Sequence, residues 1–152
     1  MIYSLKRKIS NLPFILFGNN KIMMIKFSIT TLPIPWKAPF IGSKGCFSPR
    51  YREKKETQIL IAAQYRGELI KDPIRCDMIF YMPTPKKKKS GFCFSGGDLT
   101  NLRKFYEDCL QGIVIENDKQ ILTGNSSKKF CDTFHPLPKV SFCISSLLYS
   151  GA

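Results

Sequence analysis

Residues 74–82, Ile-Arg-Cys-Asp-Met-Ile-Phe-Tyr-Met, constrain the fold more than any other stretch. Ile74, Cys76, Met78, Phe80 and Met82 alternate with their neighbours, the period of a strand with one packed face, and Pro83 and Pro85 close it. Ile25, Phe27 and Ile29 repeat that period after Met24, and Val140, Phe142 and Ile144 repeat it near the other end. Leu102, Phe105, Tyr106, Cys109 and Leu110 instead recur at i, i+3, i+4, i+7 and i+8, which predicts an amphipathic helix ended by Gly112. A second helix is predicted over Arg52–Arg66, which lacks Gly and Pro, with Gly67 ending it and Ile59, Ala62, Ala63 and Tyr65 as its apolar part. Ile113–Ile115 and Gln120–Thr123 read as short strands, while Pro33, Pro35 and Pro39 exclude regular structure from the segment between Leu32 and Pro39. The sum is a single small α+β domain over 24–152, with a mixed β-sheet of about four strands and two main helices.

The 152 residues are 43% hydrophobic and 23% charged, enough apolar material for a packed core. Lys and Arg number 24 against 11 Asp and Glu, a net charge of +13, which points to a polyanionic partner without naming one. Residues 1–23 contribute +4 of it and contain no acid, so +9 belongs to the domain. Their apolar run, Leu12–Phe17, is broken by Pro13 and far shorter than the roughly 20 residues a bilayer requires. No cleavage site follows, and this stretch reads as an N-terminal extension of the kind an upstream start site adds. The six cysteines form no C-x-x-C pair, which disfavours zinc and a disulfide framework and predicts buried reduced thiols in a cytoplasmic protein. His135, the one histidine, reads as a loop residue without a catalytic role.

The minority charges are clustered. Asp98, Glu107, Asp108, Glu116 and Asp118 share a window with only Arg103 and Lys104, a local charge of −3 directly after the Lys86–Lys89 block. Carboxylates inside a basic protein can hold Mg²⁺, a hard cation that prefers oxygen, while the basic surroundings hold phosphate. Such an ion activates water and offsets charge on a phosphodiester, and a nearby lysine can neutralise the departing oxygen. Plainer roles stand beside these: Asp98 as a helix N-cap, Lys104 and Asp108 as an i, i+4 ion pair, Glu107 facing solvent, Asn117-Asp118 as a turn.

The run Gly97-Asp98-Leu99-Thr100-Asn101-Leu102-Arg103-Lys104, continued through Asp108-Cys109-Leu110-Gln111-Gly112-Ile113 to Asn117-Asp118-Lys119-Gln120-Ile121, resembles the RusA family of crossover junction endodeoxyribonucleases. That family carries P-D-x-D-N-L-x-K, a D-x-L-x-G helix end and a (D/N)-D-x-Q-(I/V) turn. Pro33–Pro39 and Phe80–Lys86 resemble its first strand exit and its central strand with basic loop.

The resemblance implies a homodimeric, Mg²⁺-dependent nuclease, with Mn²⁺ as the alternative ion, that resolves four-way (Holliday) DNA junctions by paired nicks in recombination and repair. Asp98, Lys104 and Asp118 fall on its catalytic positions. Asp98 and Asp118 are the expected metal ligands, with Asp108 and Thr100 as additional candidates, and a shared ion requires the two aspartates within about 5 Å of each other. Asn101, Lys37 and Lys86, Lys87, Lys88 and Lys89 are expected to face DNA, with Lys128 and Lys129 extending that surface. No membrane and no small-molecule cofactor are expected. Thr100 stands where the motif has its second aspartate, and Gly97 replaces the motif proline. Two other readings accompany the nuclease: a junction-binding member that cuts weakly or not at all because of Thr100, and a basic, non-enzymatic nucleic-acid-associated protein.

Overall fold

The computed structural model describes residues 23–87 and 91–147. Strand β1 (Met24–Thr30) is followed by a small hairpin, β2 (Phe40–Gly42) and β3 (Gly45–Phe47), and by helix α1 (Tyr51–Gln64). Then come β4 (Ile74–Met82), helix α2 (Leu99–Leu110), a single 3-10 turn (Asp118–Gln120), β5 (Ile121–Thr123), β6 (Ser126–Phe130) and β7 (Lys139–Ser146). The expected α+β domain is therefore present, with two α-helices and a five-stranded main sheet among the described residues.

β4 is central, as its long alternating run requires. It pairs antiparallel with β7, which pairs with edge strand β1. Along its other edge it pairs in parallel with β5 near its start and with β6 over Met78–Met82. A parallel neighbour cannot be reached through a tight turn, and α2 supplies the crossover between β4 and this edge. Phe27, Phe142 and Met78 share one row of the sheet and point towards the helices, where they join Phe80, Leu102, Phe105, Tyr106 and Ile61 in the core. Burying one such side chain contributes about 1.5–3 kcal/mol. Cys76 and Cys109 lie in the same core, and burial pushes both thiols up to about 12, so they stay protonated.

Several local expectations give way to packing. α1 ends at Gln64, with Tyr65 extended at φ −109° and its hydroxyl donating to the Glu68 carbonyl at 2.6 Å, so Gly67 is not the stop. The helix turns Thr57 and Ile61 inward, Tyr65 is buried just past its end, and Ile59 is left 69% exposed. Ile113–Ile115 makes only isolated bridges, from Ile115 to Ile70 and Gln111. The β2–β3 hairpin and β6 have no strong sequence signal, since β6 reads Ser-Ser-Lys-Lys-Phe and takes its shape from the β4 edge. All six cysteines are free, but only Cys76 and Cys109 are buried, while Cys46 is exposed. The expected N-terminal extension lies, except for Met23, outside the described residues. Among the described residues no helix is long and apolar enough to cross a membrane.

Gly124 lies where the chain passes from β5 to β6. A Cβ there would stand 1.8 Å from the Cys76 carbonyl oxygen and 3.1 Å from Arg103 Nη2, so backbone and guanidinium leave no room for a side chain. Gly124→Ala is expected to cost about 2 kcal/mol through forced movement of packed backbone, read as a lower midpoint in urea denaturation. An unchanged midpoint would show that this crossing yields without strain.

Candidate active site

The N-terminus of α2 is built by its own cap. Asp98, extended at φ −76° and ψ 155°, accepts 2.8 Å bonds from the backbone N–H of Asn101 on Oδ1 and from Asn101 Nδ2 on Oδ2. The plain N-cap role is thus real, and it leaves the carboxylate exposed at the positive end of the helix dipole. Each oxygen accepts one bond from Asn101 and keeps a lone pair. Thr100 is exposed on the same first turn. Gly96 and Gly97 both hold φ +85°, a left-handed conformation closed to the motif proline, whose ring fixes φ near −65°. Lys128 on β6 secures this loop, its ammonium donating to the carbonyls of Gly97 at 2.8 Å and Ser95 at 3.3 Å.

Residues 34–36 run along the helix beside this cap. Ile34 N–H donates to the buried Tyr106 hydroxyl at 3.2 Å, and Trp36 N–H donates to the Asn101 carbonyl at 2.8 Å. Lys104, one turn beyond Asn101, lays its ammonium 3.6 Å from the centroid of the Trp36 ring. The ion pair on this helix is Arg103–Glu107 at 2.5 Å, not Lys104–Asp108, and Glu107 is bound to Arg103 rather than facing solvent unpaired. Arg103 also donates to the Ser126 hydroxyl at 2.8 Å and the Cys76 carbonyl at 3.0 Å. Nothing in the sequence signals the Trp36 contact, because the two residues come from segments joined only by the fold.

Asp118 lies elsewhere. It opens the 3-10 turn, where Asn117 accepts from Lys119 N–H at 2.9 Å and Gln120 Oε1 accepts from Asn117 N–H at 2.7 Å, so the expected turn chemistry is present. Gln120 Nε2 donates to the carbonyls of Ile70 and Asp72, and Ile121 pairs with Ile74, at the start of β4. Asp98 belongs to the other end: Lys128, which binds the preceding Gly97, is paired with Phe80, and Gly96 touches Met82. The stretch from Ile74 to Phe80 spans roughly 20 Å at the usual strand rise. The expectation that Asp98 and Asp118 of one chain share an ion is therefore not met, because α2 separates them by its own length. Among the described residues no group of three or more His, Cys, Asp or Glu side chains could hold a metal ion.

The remaining expected positions are peripheral. Asp108 is half-buried on α2 beyond Lys104. Lys37, Lys86, Lys87 and Lys129 are exposed, whereas Lys88 and Lys89 lie outside the described residues. His135 stacks on Tyr81 with ring centroids 4.4 Å apart, and its Nδ1 lies 3.3 Å from Asp132 Oδ1. The His135 backbone N–H holds the Asp132 carboxyl below the usual carboxylate range.

A family model described as endodeoxyribonuclease RusA matches residues 42–135, more than half of the chain. The chain belongs to the RusA family. The RusA match contains Asp98, Asn101, Lys104, Asp108 and Asp118, while Pro33–Pro39 precedes it. Comparison with curated proteins finds no match. RusA membership assigns the chain, in general terms, to the endonucleases that act on Holliday junctions.

The capping geometry separates what Asp98 does for the fold from what it can do in chemistry. Asp98→Ala is expected to lower unfolding free energy by about 1 kcal/mol, and Asp98→Asn, which can still accept from Asn101, by only a few tenths. Equal losses in denaturant titrations would contradict the cap assignment.

Proposed function

We propose that this chain is a divalent-metal-dependent endonuclease, using Mg²⁺ or Mn²⁺, that resolves four-way DNA junctions as a homodimer. The observation that carries this reading is the RusA match over a helix end that presents Asp98 and Lys104, both exposed, on its first turns. A helix N-terminus favours a phosphate, through its dipole and its free N–H groups. The oxygens of Asp98, with the Thr100 hydroxyl nearby, suit a hard cation that retains most of its waters. When bound, such an ion supplies an activated water and offsets charge on the phosphodiester. Lys104 would neutralise charge on the phosphate or on the departing oxygen. Lys37, Lys86, Lys87, Lys128 and Lys129 provide the basic surroundings that neighbouring backbone phosphates require.

Asp118 enters through a second copy. Two antiparallel chains about a two-fold axis would set Asp118 of each beside Asp98 of the other, giving two equivalent composite sites, which suits paired nicks. With Thr100 in place of the motif aspartate, each such site has one carboxylate fewer, and its metal affinity falls accordingly.

A synthetic four-way junction tests this reading. Cleavage should require Mg²⁺ or Mn²⁺, Asp98→Asn and Asp118→Asn should each reduce it at least about 100-fold while leaving junction binding intact, and Thr100→Asp should lower the metal concentration needed. A second reading, a junction-binding member that cuts poorly, rests on Thr100 and on Asn101 taking one lone pair of each Asp98 oxygen. Tight junction binding with no cleavage in either metal would favour it, and equal affinity for linear duplex would sink both.

A further inference from the structure

The Pro33–Trp36 segment lies before the family match, and the nuclease reading leaves it without a role. Its packing is nevertheless specific at several points. Ile34 and Trp36 are bonded to α2 through Tyr106 and Asn101, and Asn101 is also the residue that grips Asp98. Between them, Pro35 closes on Gly97: a Cβ at Gly97 would stand 3.0 Å from Pro35 Cβ. Glycine at this position thus both adopts φ +85° and lets the strap approach the helix cap. The strap ends with the face of the indole under the Lys104 ammonium at 3.6 Å, well inside the roughly 6 Å over which a ring face attracts a cation.

A lysine carries four rotatable bonds, and an exposed one samples many positions. Lys104 is exposed, and among the described residues no carboxylate pairs with it: Asp108, one turn on, is not bonded to it, and the neighbouring Glu107 is held by Arg103. The ring of Trp36 is the contact that restricts it. An indole face attracts the ammonium without fixing its hydrogens, so the same group remains able to donate to a phosphate oxygen. A carboxylate partner would instead compete with that phosphate.

We propose that Trp36 is the positioning residue for Lys104, holding its ammonium over the indole face, one turn beyond Asn101, ready for the scissile phosphate. This deepens the nuclease reading and rests on it. Trp36 acts through Lys104 and stacks on no base. The backbone bond from Trp36 N–H to the Asn101 carbonyl anchors the strap where the ring meets Lys104, so replacing the ring should disturb the lysine before it disturbs DNA binding.

Two measurements on the full chain test this. In carbon–proton spectra of the metal-free, DNA-free protein, the ε-methylene protons of Lys104, assigned by their loss in Lys104→Arg, should be shifted upfield by the ring. The shift should vanish in Trp36→Leu and persist in part in Trp36→Phe. In junction cleavage, Trp36→Leu should lower kcat about tenfold with junction affinity unchanged, the scale expected for losing one cation–π contact, and Trp36→Phe should recover most of it. An unshifted Lys104 in the wild type overturns the proposal, whether or not junctions are cut. So does a Trp36→Leu variant that loses junction affinity while keeping kcat, since that is the behaviour of a base-stacking residue. If the wild type cuts no junction in either metal, the nuclease reading falls, and the upfield shift alone decides whether Trp36 holds the lysine. Matching thermal midpoints for Trp36→Phe and wild type separate these effects from a loss of fold.

Discussion

Arg103 donates to the Cys76 carbonyl, the Ser126 hydroxyl and the Glu107 carboxylate, and so ties α2 to β4 and β6 at one point. Its side chain is 19% exposed and that of Glu107 24%, so these charge-assisted bonds are only partly screened by water. The other features of the candidate site depend on this fastening. It sets the height of α2 against the sheet, and Gly124 gives it room. With the helix at that height, Lys128 reaches the Gly97 carbonyl, and Trp36 N–H meets the Asn101 carbonyl.

The fold was legible in the sequence wherever burial imposes a period. Ile74–Met82 and Leu102–Leu110 announce β4 and α2 because one face of each is wholly apolar. α1 was legible only as a helix, not in its orientation. Its inward residues are Thr57 and Ile61, and a threonine at the core carries no hydrophobic signal. β6 and the β2–β3 hairpin were illegible for the same reason, since their shapes come from a partner strand rather than from their own side chains.

The candidate site shows a sharper division. Its candidate members come from motif spacing, and Asp98 as an N-cap was readable from its place before the helix. Their arrangement was not. Residues near in sequence, Asp98 and Lys104, stay together because one helix carries both. Asp118 follows at a spacing that invites a cluster, yet the intervening helix spends that spacing on distance. Lys104 finds an aromatic ring 68 positions earlier in the chain instead of the acid four positions later, a choice that depends on the strap's path alone. The clustered negative charge therefore separates in space into two acidic points, one at each end of α2.

A mixed dimer tests the composite site most directly. Asp98→Asn chains and Asp118→Asn chains carry different tags and are isolated as a one-to-one pair. One of the two composite sites then holds both substitutions, and the other holds neither. The account predicts that each parent protein is inactive and that the mixed dimer nicks a four-way junction on one strand of the symmetric pair. A mixed dimer as inactive as its parents would place both aspartates in a site confined to one chain, and would contradict it.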